Sequence, residues 1–370
     1  MKFTINAKTF ATALQNQLRV IGGKSTVAIL DTFKIRAWKG YQGSDFIQIT
    51  ASDPETTSIL TLDVASLEET GELCIDAKKI TDIVRKLGDK QMTFEAKDTE
   101  AKITCGKGVY TLPIHSVDEY PKKEIPTEGF FTLPTATMLE GFNATKSAVS
   151  TDIIRPQLCG VHMNIMEDNK GIDFVGTDTH QLVVCHVEAE GVEPRQLIIP
   201  AKTVMLAMGT FAKYPEIQIA QTDNSIVFKS EDATIMSVLV KGKYPNYNRV
   251  FPQTLPYSVK VNRKELLDVI NRVSGFASNA TNMLVLEDSG MMELKVSAKD
   301  FDSAQTAEDY VMSDGSMGDV RIGFNATYLT SVLGTFDGDE ITLHFVDPSR
   351  PMLIHENNIK AIIMPIQVVE

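Results

Sequence analysis

The sequence predicts an α+β protein of three similar units, each with two helices and antiparallel sheets, and three observations carry that reading. First, "FTINAKTFATAL" from Phe3, "FTLPTATMLEGF" from Phe131 and "VKVNRKELLDVI" from Val259 recur at intervals of 128 residues. Each is a short alternating strand running into a helix, with apolar residues in register at Phe10, Met138 and Leu266 and again at Leu14, Phe142 and Ile270. Second, a further strand–helix element follows in each third, "IDAKKITDIVRKL", "IPAKTVMLAMGTF" and "FNATYLTSVLGTF", aligned on Ala77, Ala201 and Ala326. Third, the alternating runs "FIQITASD", "IDFVGTD" and "MELKVSAKD" lie between the helices and close on Asp53, Asp178 and Asp300. So long a period is not a solenoid repeat, and each third reads as a whole domain of two related halves.

Along the chain, the first helix is expected over 7–18. The glycines after it, in "VIGGKSTVAIL", hint at a phosphate-binding loop. That motif needs Gly-x-x-x-x-Gly-Lys-Ser/Thr between a strand and a helix, but Leu18 stands at the first glycine position and the order is reversed, with the helix before and a strand-like "TVAIL" after. A glycine turn leaving a helix is the simpler reading. The second helix is expected over 77–87. "SVDEYPKKEIP" then reads as a Pro-rich, extended linker. The middle unit should hold helices over 135–148 and 201–213 and the hairpin "EIQIAQTDNSIVFKSED", turning at Asp223-Asn224. "KGKYPNYNRVFP" reads as a second extended linker, followed by helices over 262–273 and 325–336. The predicted domains are therefore 1–125, 126–252 and 253–370.

A hydrophobic content of 43% with 23% charged residues is that of a globular protein. No apolar run approaches the roughly 20 residues needed to cross a bilayer, and "MKFTINAKTF" has no signal-peptide core; a cytoplasmic protein is expected. Cys74, Cys105, Cys159 and Cys185 show no C-x-x-C spacing, which suggests reduced structural thiols rather than a zinc or redox site. The net charge of −12 argues globally against nucleic acid. Its distribution does not: the six predicted helices together carry +7, leaving −19 for the rest. If equivalent helices face one way, they form a mildly basic face within an acidic exterior, able to meet phosphate.

The stretches "IGGKSTVAIL", "RPQLCGV", "VGTDTHQLVVC", "IIPAKTV", "GKYPNYNRVFP", "IGFNATYLTSVL" and "AIIMPIQV", in this order and across three repeats, resemble the bacterial DNA sliding clamp family, the beta subunits of DNA polymerase III, over essentially the whole chain. The resemblance implies a head-to-tail homodimer closed into a ring, with three clamp-type domains per subunit and helices lining the hole. It implies a non-catalytic processivity factor that encircles duplex DNA without reading its sequence, with no cofactor, no metal and no membrane partner. Lys24, Lys78 and Lys202 match the family's basic residues toward DNA. Polymerases, the clamp loader and repair proteins would dock through short peptides in a groove using Leu158, Thr177, Thr179, His180, Gln181, Leu182, Pro245, Arg249, Val250, Ile362, Ile363, Met364, Pro365 and Ile366. Pro365 further suggests that the last strand is an edge. Thr179 and Gln181 stand where the family often has glycine and arginine, which makes the groove less positive. Tyr110, Leu112 and Phe276 match apolar positions of the ring contact.

Two rival classes stand against this. In "HQLVVCH" the residues His180, Cys185 and His186 could suggest a metal, but on a strand alternate residues point to opposite faces. Asp178 beside His180 resembles a base and its orienter, yet no nucleophile motif accompanies it. The second rival is a monomeric peptide-binding scaffold with no DNA role, which the helix charge disfavours.

Overall fold

The computed structural model describes residues 1–22, 26–41, 44–167 and 170–368. The six helices are α1 (Ala7–Leu18), α2 (Ala77–Val84), α3 (Thr135–Thr145), α4 (Ala201–Phe211), α5 (Arg263–Ser274) and α6 (Ala326–Leu333). They begin where the sequence supplies a stop for the preceding strand and a cap for the helix. The side chains of Asn6, Asp76, Asn262 and Asn325 accept hydrogen bonds from backbone N–H groups of the first turns of α1, α2, α5 and α6, each worth about 1 kcal/mol. At the equivalent places before α3 and α4 the chain has Pro134 and Pro200.

Although the sequence repeats three times, the chain folds into two compact units. One comprises Met1–Ala136 and Met205–Leu239, the other Thr137–Val204 and residues 240–368. The middle third is thus divided, one part of it completing each unit. Among the described residues the first unit carries a 13-stranded sheet, in which Ala233–Val238 lies antiparallel to Thr56–Asp63. The second carries a 12-stranded sheet, in which Ile359–Ile363 lies between Gln181–Val187 and Met352–Glu356.

Alternation along these strands sets the cores. In the first unit Phe3 stacks on Phe94 at 5.0 Å and meets Phe10 of α1 edge-on at 6.1 Å. All three are fully buried, each worth about 2–3 kcal/mol in transfer. In the second unit Phe142 of α3 meets Phe174 edge-on at 5.4 Å. A Cβ at neighbouring Gly141 would lie 2.1 Å from that ring, so only glycine lets α3 approach the sheet here.

Several expectations are corrected. "TVAIL" is not a strand: Ala28–Asp31 is a 3-10 turn, and the strand starts at Thr32. Thr26, Val27 and Ala28 are all exposed and Leu30 is buried, which breaks the alternation a half-buried strand would show. The last strand is not an edge, because Ile359–Ile363 has neighbours on both sides and Pro365 lies beyond it. "KGKYPNYNRVFP" is no loose linker: Tyr244 and Tyr247 are buried in the second unit, and Tyr247–Val250 forms a 3-10 turn. The helix expected over 135–148 is α-helical to Thr145 and finishes as a 3-10 turn, Lys146–Ala148.

Candidate functional site

A small cavity of about 110 Å³ opens on the second unit where three segments distant in sequence converge. The turn between Ile172–Thr177 and Gln181–Val187 brings Thr177, Thr179, His180, Gln181 and Leu182. The end of the last strand brings Ile362 and Met364, and the segment after Val240 brings Pro245, Asn246, Tyr247 and Val250.

The turn is fixed by its own polar groups. Thr177 Oγ1 donates to the Gln181 carbonyl at 2.7 Å, and Asp178 Oδ1 accepts from the His180 and Gln181 backbone N–H groups at 2.8 and 2.9 Å. Thr179 is thereby held at φ 81°, a region a β-branched residue enters only under strain. The His180 ring stacks on Tyr328 of α6 at 5.4 Å, and the His180 carbonyl accepts from the Met364 N–H at 2.8 Å, tying the chain's end to the turn. Asp178 is engaged by backbone N–H groups, not by the His180 ring, so the pair is not a base and its orienter. The strand starts at Gln181, one residue later than "HQLVVCH" suggested. Among the described residues no three His, Cys, Asp or Glu side chains gather to hold a metal.

Beneath the cavity lies an apolar floor of Leu158, Val175, Leu182, Val184, Ile198, Tyr244, Tyr247, Leu353 and Ile362. One wall is pinned by buried polar groups. The Tyr247 hydroxyl donates to Asp173 Oδ2 at 2.7 Å and accepts from Asn164 Nδ2 at 3.0 Å, while Asp173 Oδ1 meets His186 Nδ1 at 2.8 Å. Tyr244 stacks on His162 at 4.3 Å. His162 Nδ1 donates to the Leu197 carbonyl at 3.2 Å, and burial pushes the imidazole down to about 4. Burial likewise raises the Tyr244 and Tyr247 hydroxyls.

The structure brings together nine of the residues expected in the groove: Thr177, Thr179, His180, Gln181, Leu182, Pro245, Val250, Ile362 and Met364. Leu158 lies in the floor. Ile363 is fully buried and does not line the cavity, because its neighbour Ile362 points there and alternation sends Ile363 to the other face. Arg249 is exposed and outside the lining, Pro365 follows the strand, and the Ile366 N–H donates to the Gly323 carbonyl at 2.7 Å. Asn246 and Tyr247 complete the lining unexpectedly; "YPNYN" carried the signal, since tyrosines in a supposed linker need somewhere to bury their rings.

Lys24 lies outside the described residues. Lys78 is exposed in the first turn of α2, and Lys202 is half-buried in the first turn of α4. The basic character of the helices is partly compensated. Lys8 lies 3.9 Å from Asp89, Arg85 3.1 Å from Asp82, Lys213 3.2 Å from Asp232 and Lys264 2.8 Å from Asp339. These exposed pairs add at most about 1 kcal/mol each to stability.

Besides the strands at the ends of the sheets, two strands inside the sheet order pair on one side only, among the described residues, for much of their length. Gly108–His115 pairs with Glu100–Cys105 through Pro113 and reaches Gly71–Asp76 only at Ile114 and His115. Gln305–Ser316 pairs with Glu293–Asp300 through Met312 and with Tyr257–Asn262 only from Ser313 onward. Val109, Tyr110, Tyr310 and Met312 are exposed on these stretches, as is Phe276 after α5. Leu112, expected at the contact, faces its own core and is 7% exposed, because strand alternation turns it inward. Tyr310 and Met312 were not foreseen.

Family models match nearly all of the chain: the N-terminal, central and C-terminal domains of the DNA polymerase III beta subunit match residues 1–125, 132–246 and 248–367. A beta sliding clamp of Staphylococcus aureus is 26% identical, the match covering 99% of each chain. Among solved structures, a DnaN sliding clamp of Bartonella birtlesii bound to griselimycin superposes with a TM-score of 0.91 at 26% identity, and the sliding clamp of Bacillus subtilis with a TM-score of 0.91 at 24%, both over 100% of each chain.

Proposed function

We propose, from the premise that this chain belongs to the DNA polymerase III beta subunit family and is a non-catalytic DNA sliding clamp, that two copies close head to tail into a ring through their one-sided strands. The supporting observation is one junction that occurs twice within the chain. After the hairpin at Asp53, Thr56–Asp63 takes Ala233–Val238 with Thr56 opposite Ser237 and Leu60 opposite Ala233. After the hairpin at Asp178, Gln181–Val187 takes Ile359–Ile363 with Gln181 opposite Ile363 and Cys185 opposite Ile359. The hairpins align Thr56 with Gln181 and Ala233 with Ile359, so the two registers are identical.

The third pair of equivalents is the pair left one-sided. Asp300 pairs with Gln305 and Cys105 with Gly108 across their own hairpins, which aligns Gln305 with Thr56 and Gly108 with Ala233. The repeated register then sets Gln305 of one copy opposite Leu112 of the other, and Asp309 opposite Gly108. Such a heterologous contact, made twice, closes a ring and leaves neither strand open. Tyr110 and Leu112, side by side on one face of the strand, and Phe276 would flank the contact.

The domains proposed are 1–125, 126–252 and 253–370, with the helices toward the hole and Lys24, Lys78 and Lys202 meeting phosphates. Few, phosphate-directed cations favour sliding over fixed attachment. The groove of Thr177, His180, Leu182, Val250, Ile362 and Met364 would dock short peptides of the replicative polymerase, clamp loader and repair proteins, with Arg249, Pro365 and Ile366 near its rim and Ile363 in the core behind it. No described helix is long and apolar enough to cross a membrane, and the location proposed is the cytoplasm. The test is gel filtration after loading onto nicked circular DNA, with a linearised aliquot alongside. Retention on the circle and loss from the linear form supports the ring; equal retention on both overturns it.

A further inference from the structure

A larger cavity, of about 480 Å³, opens in the first unit between α1, the end of α4 and the strand Thr56–Asp63. One wall is Ser58, Leu60 and Leu62, which alternation sets on a single face of the strand; the other is the stripe of α1 that carries Ala13 and Gln17. Two polar side chains lie deep in it. Gln17 is 2% exposed and its Oε1 is enclosed without a hydrogen-bond partner, while Nε2, which is not enclosed, has no partner among the described residues either. A half-turn of an unpartnered amide exchanges its oxygen and nitrogen, so either can face the cavity. Ser58 is 3% exposed, and its hydroxyl makes no hydrogen bond among the described residues.

The chain's own repeat shows that the fold does not require these groups. Thr145 stands in the place of Gln17 in the middle third and its hydroxyl donates to the Gly141 carbonyl at 2.7 Å, and buried Val273 stands there in the last third. Val183, fully buried, takes the place of Ser58 at the second junction. Buried polar groups without partners are costly, and a ligand that pairs with them recovers that cost on binding.

The lining restricts the ligand. Ala13, Leu60 and Leu62 favour an apolar body, and Gln17 with Ser58 favours a hydrogen-bonding edge at its inner end. Lys8 and Lys213 stand exposed on the lining, with no acidic residue among the described lining residues, so an outward anion is attracted. Their ion pairs with Asp89 and Asp232 are weak enough to yield to a phosphate. A fatty acid would leave Gln17 and Ser58 unpaired, and a sugar phosphate would set hydroxyls against the leucines. A nucleotide meets all three demands, with flat ring faces, a donor and acceptor edge and a phosphate.

We propose that this cavity binds one nucleotide, its base between α1 and the strand Thr56–Asp63 with the polar edge on Gln17 and Ser58, and its phosphate at Lys8 and Lys213. The nucleotide is either free or an unpaired residue of a DNA strand. Neither the groove nor the ring contact enters this inference.

The full chain is titrated by calorimetry at low salt with dAMP, dCMP, dGMP and TMP, with deoxyribose phosphate, and with a DNA hairpin that has or lacks one unpaired nucleotide in its stem. Either one mononucleotide should bind about tenfold more tightly than deoxyribose phosphate, or the hairpin with the unpaired nucleotide about tenfold more tightly than the paired one. Gln17→Met and Ser58→Ala should each remove most of that preference and leave the thermal midpoint of the unliganded chain unchanged or higher, since each replaces an unpaired polar group by an apolar one. A preference among the mononucleotides assigns a free nucleotide, and one confined to the hairpins assigns DNA. Equal binding within both comparisons, which is attraction of anions to lysines alone, overturns the inference. So does the absence of binding, or a preference that both variants leave intact.

Discussion

Lowering the pH from about 8 to about 5 should weaken the second unit, chiefly through the imidazole of His162. The ring is 3% exposed, stacked on Tyr244 and edge-on to Tyr247, with Nδ1 held by the Leu197 carbonyl. Burial lowers its pKa from 6.5 to about 4. The unfolded chain therefore binds the proton first, and the stability gained from a neutral imidazole is present above about 6.5 and is lost as the pH falls toward about 4. At about pH 5 nearly every unfolded imidazole is protonated and about one folded imidazole in ten, a difference worth about 2 kcal/mol.

The assay is urea unfolding at both pH values for the natural chain and for His162→Phe, which keeps a ring on Tyr244 and cannot titrate. His344, also pushed down by burial, shifts both proteins alike. The carboxylates that titrate low, such as Asp288 and Asp309, lose their contribution only as the pH falls below about 4. The natural chain should lose about 2 kcal/mol more than the variant between the two conditions. Parallel losses would show that His162 does not enter the folded state neutral, and the reasoning from its burial would fail.

Three further outcomes are expected. Thr111→Cys combined with Thr306→Cys should form an intermolecular disulfide that gives a covalently closed dimer on a non-reducing gel, since the proposed ring contact would set these residues opposite one another. Thr111→Cys with Ala307→Cys should not, because a slip of one residue turns side chains to opposite faces. Met364→Asp should weaken peptide binding about a hundredfold by placing a charge in an apolar pocket and leave the native mass unchanged; loss of the dimer instead would mean that the C-terminal segment serves the ring contact. Thr179→Gly should stabilise the chain by about 1 kcal/mol by relieving the left-handed backbone, read as a higher thermal midpoint, and an unchanged or lower midpoint would show that the turn carries no strain.

The helices were legible because a strand before each and an apolar stripe recur in register; in four of them Asn6, Asp76, Asn262 and Asn325 add an N-cap where the repeats align. The groove's residues were legible only through the likeness to a family, since Thr177, Tyr247 and Met364 lie far apart in sequence and nothing in their local pattern says they meet. Local pattern misled where a tertiary contact outweighed it. "TVAIL" has the β-branched, aliphatic look of a strand, but three exposed residues in succession, Thr26, Val27 and Ala28, lead into a 3-10 turn that buries Leu30. Pro365 suggested an edge, but it lies two residues after a strand with neighbours on both sides, and Ile366 beyond it bridges to Gly323. The division of the middle third between two units left no trace in the repeat, because strand pairing across such separations depends on edges and not on composition.

That division also sets the order of events on the ribosome. Thr56–Asp63 cannot gain its outer neighbour until Ala233–Val238 has been made, about 170 residues later, and at about 5–20 residues per second that is a wait of about ten seconds or longer. The waiting edge begins with Thr56, Thr57 and Ser58: the Thr56 hydroxyl later meets Ser237 Oγ, while the Thr57 hydroxyl is already engaged with Ser52 in its own hairpin. Gln181–Val187 waits about as long for Ile359–Ile363, but exposes Leu182, Val183 and Val184 while it does. The nascent chain is therefore most in need of a chaperone during synthesis of its final third, when an aliphatic edge is finished and its partner strand is not yet made.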